Sequence, residues 1–165
     1  VMECEVPVIG AINGAAVGTG LGFVASCDYL IAAEAAFIAL NEINVGLMGG
    51  GRHAQRLLGT FGARRLMYTG DRIYAAELLA RRVVEKVVPS ENLMTEAMAM
   101  AAAIAGKSPI AVRLAKRAMN AVEFMSLRDG YRFEQTMTNE LSKTEDAREA
   151  AAAFVEKRQP VFKGR

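Results

Sequence analysis

The stretch PVIGAINGAAVGTGLGFVASCDYLIAAEAAFIALNE, residues 7–42, decides the fold. Residues 6–12 are an apolar run opening on Val6-Pro7, and proline is tolerated at the start of a strand. Asn13-Gly14 is a turn signal that ends the run. Gly18, Gly20 and Gly22 then alternate with Thr19 and Leu21, and residues 23–27 continue as a short apolar helix closed by Asp28. Residues 29–32 and 36–40 read as two further short strands separated by small residues and Glu34. Strand, helix and strand in this order predict a layered α/β structure.

Working outward, the glycines admit two readings. Amide groups near Thr19 and Gly20, with a helix dipole behind them, could face a ligand oxygen, and would act most strongly on an oxyanion or enolate in a dry pocket. Alternatively, the glycines only let strand and helix approach closely. A dinucleotide site is disfavoured, because G-x-G-x-G occurs here but G-x-G-x-x-G does not, and a P-loop is disfavoured because Gly106-Lys107-Ser108 has Ala101 where the pattern's first glycine would stand. Glu42, flanked by Leu40, Ile43 and Val45, is either a general acid–base group or a solvated turn residue. His53 is the only histidine and follows a glycine-rich segment; without a GxSxG elbow it belongs to no hydrolytic triad and reads as a pocket-rim residue.

Residues 44–53 contain Gly46, Gly49, Gly50 and Gly51 and read as a loop, since glycine disfavours a helix interior. A helical turn over 55–58 ends at Gly59, a helix over 63–69 stops at Gly70, residues 75–80 form a short helix, and residues 83–88 form a strand stopped by Pro89. Beyond Ser90 the period is helical. Helices are expected over 90–105, from Ser108-Pro109, from Ser126 to 141 and from Thr144 to 156, each led by a residue suited to cap it. Pro160 opens an irregular tail.

Composition narrows the function classes. The chain has 165 residues, 52% hydrophobic and 23% charged, and no apolar stretch approaches the roughly 20 residues of a membrane span. With 20 basic and 18 acidic side chains the net charge is +2, too small to imply nucleic acid, and no nucleic-acid motif is present. Arg52, Arg56, Arg64, Arg65, Arg72, Arg81 and Arg82 crowd a region whose only acids are Asp71 and Glu77. That cluster is either a solvated basic face or a site for a phosphate-bearing ligand or partner. Cys4 and Cys27 form no CxxC pair, and with one histidine they make no zinc site. A reducing, cytoplasmic location is expected, with no signal-peptide pattern in view.

Read together, these residues resemble the enoyl-CoA hydratase/isomerase (crotonase-like) family. The 7–46 stretch is similar to its signature region. TGDRIYAAE, VVEKVVP, KSPIAVRLAK and DAREAAAAFVEKRQPVFKGR follow in the family's order. The resemblance covers only the later part of a typical member. It implies a partial ββα spiral over residues 1–89 and a helical trimerisation region over 90–165 that is not an independent domain. The implied substrate is a coenzyme A thioester, with no further cofactor and no metal.

In this family two backbone N–H groups hold the thioester oxygen as it becomes an enolate. One matches Thr19; the other comes from an earlier strand–loop that these residues do not match. Val17, Gly18, Gly20, Phe162 and Lys163 match the substrate and coenzyme A side. Of the two glutamates of hydratases, the second matches Glu42, whereas Gly22 stands at the first, and Gly49 stands where proline is typical. The resemblance implies a hydratase-like lyase. An isomerase, another acyl-CoA reaction or a chain serving only as an interaction or structural module are the alternatives. It also implies a homotrimer or dimer of trimers. An enzyme requires the turn at residues 17–21 to meet Glu42 across room for a carbonyl, whereas an interaction module does not.

Overall fold

The computed structural model describes residues 1–165 and divides into two compact units: Val8–Met100 with Val1–Met2, and Ala101–Arg165 with Glu3–Pro7. The first contains β1 (Ile9–Ile12), β2 (Ala15–Val17), α1 (Thr19–Ala25), β3 (Tyr29–Ala33), β4 (Phe37–Ala39), α2 (Gly51–Thr69), β5 (Arg72–Tyr74), α3 (Ala75–Ala80), β6 (Lys86–Val88) and most of α4 (Leu93–Ala105). The strands form two three-stranded sheets, β1-β3-β6 and β2-β4-β5, alternating from β1 to β4. The first is wholly parallel; in the second, β2 and β4 are parallel and β5 returns antiparallel to β4. The first two turns are a β-β-α winding: β1-β2 and β3-β4 each feed one strand to each sheet before α1 or α2 crosses back, whereas α3 lies between β5 and β6.

Leu21 of α1, Ile38 of β4, Leu66 of α2, Ile73 of β5 and Leu78 of α3 are fully buried in one shared core. Each such side chain contributes about 1.5–3 kcal/mol on leaving water. β3 reads YLIAA and is buried from Leu30 to Ala33, the near-continuous apolar pattern of a strand covered on both faces.

Several elements differ from the sequence-based expectation. Residues 15–17, which carry no strand signal of their own, form β2 alongside β4. The expected loop over 44–53 ends early, since α2 begins at Gly51 after a left-handed Gly50. The expected break at Gly59 is present as a kink with φ 66° and ψ −177°, and helix resumes at once on its far side. The strand expected over 83–88 shrinks to β6: Arg82 takes φ 57° and the Val83 amide closes back onto Leu78, so pairing with β3 starts only at Lys86. Ser90 opens a 3-10 turn, Ser90–Asn92, rather than α4 itself. The division between units falls inside α4, after Met100, because Leu93 and Ala97 pack with Ile31 and Ala33 of β3.

The second unit holds the end of α4 with α5 (Pro109–Val122), α6 (Leu127–Leu141) and α7 (Glu145–Glu156). The expected caps are present. Ser108, Ser126 and Thr144 accept from the amides of Ala111, Asp129 and Ala147 at 3.4, 3.2 and 3.1 Å. Leu114 and Ala118 of α5 pack with Met137 of α6. The tail is tied down by two carboxylates. Asp146, 1% exposed, accepts from Ser108 Oγ and the Lys163 amide at 2.7 Å each and from the Gly164 amide at 3.2 Å. Glu149 pairs with Arg158 and accepts from the Val161 amide at 2.8 Å. No single helix is long and apolar enough to cross a membrane.

Candidate active site

The site arises from one strand pairing. β2 and β4 are parallel neighbours in register, Val17 opposite Ala39, so both chains leave the sheet at the same edge. The Gly18 amide donates to the Ala39 carbonyl at 3.3 Å as the chains part. β2 turns into α1 through Gly18, and β4 runs through Leu40 into a 3-10 turn, Asn41–Val45. The carboxyl ends of adjacent parallel strands are where α/β folds build ligand sites. Glu42 is the second residue of that turn. The turn is closed by the Gly46 amide on Ile43 and the Leu47 amide on Glu42 at 3.1 and 3.0 Å.

Gly18 has φ 55° and ψ −118°, a conformation open in practice only to glycine. A Cβ there would lie 2.6 Å from Glu42 Oε1 and 3.6 Å from its Cδ. The carboxylate is therefore seated directly against the glycine turn. Its other oxygen, Oε2, is buried and has no hydrogen-bond partner. Burying an unsatisfied carboxylate oxygen is costly, and such an atom calls for a partner, be it a water, an ion, a ligand or a reacting group. The solvated-turn reading of Glu42 fails on this atom. Thr19 is the first residue of α1, so its amide has no carbonyl one turn back to bond. The turn and the carboxylate are in close contact at Gly18.

Along its whole length, residues 1–165, the sequence matches the profile of the enoyl-CoA hydratase/isomerase family. The chain belongs to that family. It is 41% identical over 159 residues to a "Probable enoyl-CoA hydratase, mitochondrial" of Dictyostelium discoideum, covering 94% of this chain and 57% of the relative. It is 38% identical over 157 residues to a (7aS)-7a-methyl-1,5-dioxo-2,3,5,6,7,7a-hexahydro-1H-indene-carboxyl-CoA hydrolase of Mycobacterium tuberculosis, covering 95% of this chain and 64% of the relative. The crystal structure of an enoyl-CoA hydratase from Bacillus anthracis superposes with a TM-score of 0.95 at 40% identity, over 100% of this chain and 65% of that one. The fold is crotonase-like α/β. This family member spans 57–65% of the length of these three proteins.

Other expected site residues of this hydratase/isomerase-family chain are placed as follows. Val17 ends β2 and Gly20 lies in the first turn of α1, beside Gly18 and Thr19. His53 is exposed in the first turn of α2, with Cδ2 and Nε2 both 3.9 Å from where a Gly22 Cβ would stand. Residue order gives no sign of that pairing, since it depends on how α1 and α2 dock. Phe162 and Lys163 lie in the second unit, Phe162 half-buried and the Lys163 amide on Asp146.

The arginine cluster resolves largely into structural pairs. Arg65 and Arg81 share Glu77 at 2.9 and 2.7 Å, and Arg81 with Arg65 holds the Glu77 carboxyl below its usual range. Arg56 donates to the Ala25 carbonyl at the end of α1, and the Arg72 guanidinium lies 4.6 Å from the Phe37 ring centre. Hollows of about 300 and 280 Å³ lie elsewhere, one lined by α5 and α6, the other by residues including Cys27, Tyr29 and Arg82. Neither is lined by Glu42 or by residues 17–21. An orphaned oxygen marks the site.

Proposed function

We propose that this chain carries the acid–base and enolate-holding part of an enoyl-CoA hydratase-like lyase, with an acyl-coenzyme A thioester as substrate. The observation that carries the reading is the Glu42 carboxylate held against Gly18 with Oε2 buried and unpartnered. Hydration of a 2-enoyl thioester needs a base to take a proton from water as its oxygen bonds to the β-carbon. Electrons shift through the α-carbon onto the thioester oxygen, and the enolate is then protonated at the α-carbon. Glu42 takes the water proton. The Thr19 amide donates to the thioester oxygen, where negative charge develops, and Val17, Gly18 and Gly20 shape the wall around it. One such backbone donor is worth about 3–4 kcal/mol in the transition state. The sequence match at Phe162 and Lys163 supports a coenzyme A contact by the tail.

The test uses the full-length protein. Glu42→Gln lowers kcat for crotonyl-CoA hydration at least ~100-fold while acyl-CoA binding persists. Unchanged turnover removes Glu42 from the mechanism. An isomerase is the second reading, favoured by the absence of any side chain at Gly22, because one carboxylate suffices to carry a proton between two carbons. Faster conversion of a 3-enoyl-CoA to its 2-enoyl isomer than hydration of the 2-enoyl-CoA selects it.

The helical unit exposes Phe124, Leu127, Tyr131, Phe154 and Val155, with Leu127 93% and Phe154 86% exposed. This apolar surface supports assembly of identical copies as a homotrimer or dimer of trimers.

A further inference from the structure

α1 is seven residues long, and its two ends are held differently. At the first, the Thr19 amide has no carbonyl one turn back to bond; the other carries the carbonyls that no further turn of helix satisfies. Three of these are met from close by. The Gly22 carbonyl accepts from Ser26 Oγ at 2.7 Å, and the Phe23 and Val24 carbonyls accept from the Ser26 and Cys27 amides at 3.1 Å each. The fourth, on Ala25, is met from another element: Arg56 of α2 donates to it through Nη1. Ala25 is 1% exposed and Arg56 half-buried, so this bond is partly shielded from water.

The short helix is thereby fixed at both ends. Where it begins, the Gly18 amide donates to the Ala39 carbonyl of β4 at 3.3 Å; where it finishes, the guanidinium ties it to α2. Between them Leu21 packs in the core that also holds Ala54 of α2. Seven residues of helix rise about 10 Å and move as one body, so a shift at Ala25 is carried to Thr19. The guanidinium also sets a positive charge at the end of the helix where the dipole is negative. A hollow of about 280 Å³, lined by residues including Arg56, Ala25, Cys27 and Leu57, opens beside this contact.

We propose that Arg56 is a positioning residue for the reaction: by gripping the carboxyl end of α1, it fixes the aim of the Thr19 amide at the thioester oxygen. This rests on the hydratase-like reading above. The amide gains most from alignment as negative charge builds on that oxygen, so a mis-aimed α1 costs the transition state more than the bound substrate. A displacement of about 1 Å can lower turnover by ~10²-fold, and loss of one contact among several costs less.

The experiment measures crotonyl-CoA hydration by full-length wild type, Arg56→Ala, Arg56→Lys and Glu42→Gln, each checked for a native far-ultraviolet circular dichroism spectrum. Arg56→Ala is expected to lower kcat ~10-fold with KM changed less than ~3-fold. Arg56→Lys, which keeps a cationic donor, should retain more of it. Guanidinium chloride at low millimolar concentration, entering through the hollow, should restore kcat at least ~3-fold in Arg56→Ala. Tetramethylammonium, which has no N–H group, should not. Saturating butyryl-CoA gives the direct readout: a hydrogen bond lowers its thioester carbonyl stretch, and the lowering should be smaller in Arg56→Ala, which a residue needed only for folding would not produce. Unchanged kcat, a loss confined to KM, no rescue by guanidinium or an unaltered carbonyl stretch overturns the proposal. If Arg56→Ala does not fold, Arg56→Lys decides: lowered kcat with KM kept upholds the proposal, and wild-type kcat and carbonyl stretch overturn it. If Glu42→Gln is impaired where Arg56 proves unused, the hydratase reading stands without it. A wild-type protein that hydrates no 2-enoyl-CoA overturns both.

Discussion

Gly18 performs two tasks that no other residue combines. Its φ of 55° turns β2 into α1, and its missing Cβ gives Glu42 Oε1 a place that a methyl group would occupy at 2.6 Å. Gly18→Ala should therefore lose about 1–3 kcal/mol of stability through backbone strain. It should also push the carboxylate off the turn, lowering kcat at least ~10-fold. Urea unfolding and crotonyl-CoA turnover, measured on the same preparation, separate the effects; wild-type turnover in a destabilised variant would show that the close approach is not used. Of these details the residue types announced a part. Glycine alternation and a lone carboxylate in apolar company were legible along the chain. The contact between positions 18 and 42 was not, because it is made by strand pairing across an intervening helix and strand.

At the scale of elements, the helix caps were the most readable features, since Ser108-Pro109, Ser126 and Thr144 act on amides three residues away and need no tertiary partner. The tail is the opposite case: it has no regular structure and is held by distant carboxylates on α7. Burial opposes ionisation of Asp146, but the Lys163 amide, the Ser108 hydroxyl and the Gly164 amide outweigh it and hold the carboxyl below its usual range. Arg158 and the Val161 amide pull Glu149 from 4.5 down to about 2. Both groups bind protons more weakly folded than unfolded, so their stabilisation is whole above the unfolded value and disappears as pH falls through the folded one. Thermal stability should consequently decline from pH ~4.5 towards ~2. Glu149→Gln should flatten that decline, and an identical pH slope in wild type and variant would refute the assignment. Between the caps and the tail lies β2, three small residues whose extended form is set by β4; local propensity carries little information there.

For the molecule as a whole, the exposed apolar surface of the helical unit bears on assembly. Light scattering on the full-length protein should give three or six times the chain mass, and Leu127→Asp combined with Phe154→Asp should shift it towards the monomer. A monomeric wild type would contradict the assembly reading. The sequence alone determined the class of the chain, because hydrophobic period, capping residues and turn glycines act over a few residues and survive as pattern. It also determined the family, through motifs kept in order along residues 1–165. Only the tertiary structure decided that Glu42 keeps an oxygen buried and unpartnered, that His53 stands over Gly22, and that the arginine cluster is spent largely on Glu77, Ala25 and Phe37. Each of those depends on which strands pair and how α1 docks on α2, which are properties of packing between segments far apart in the chain.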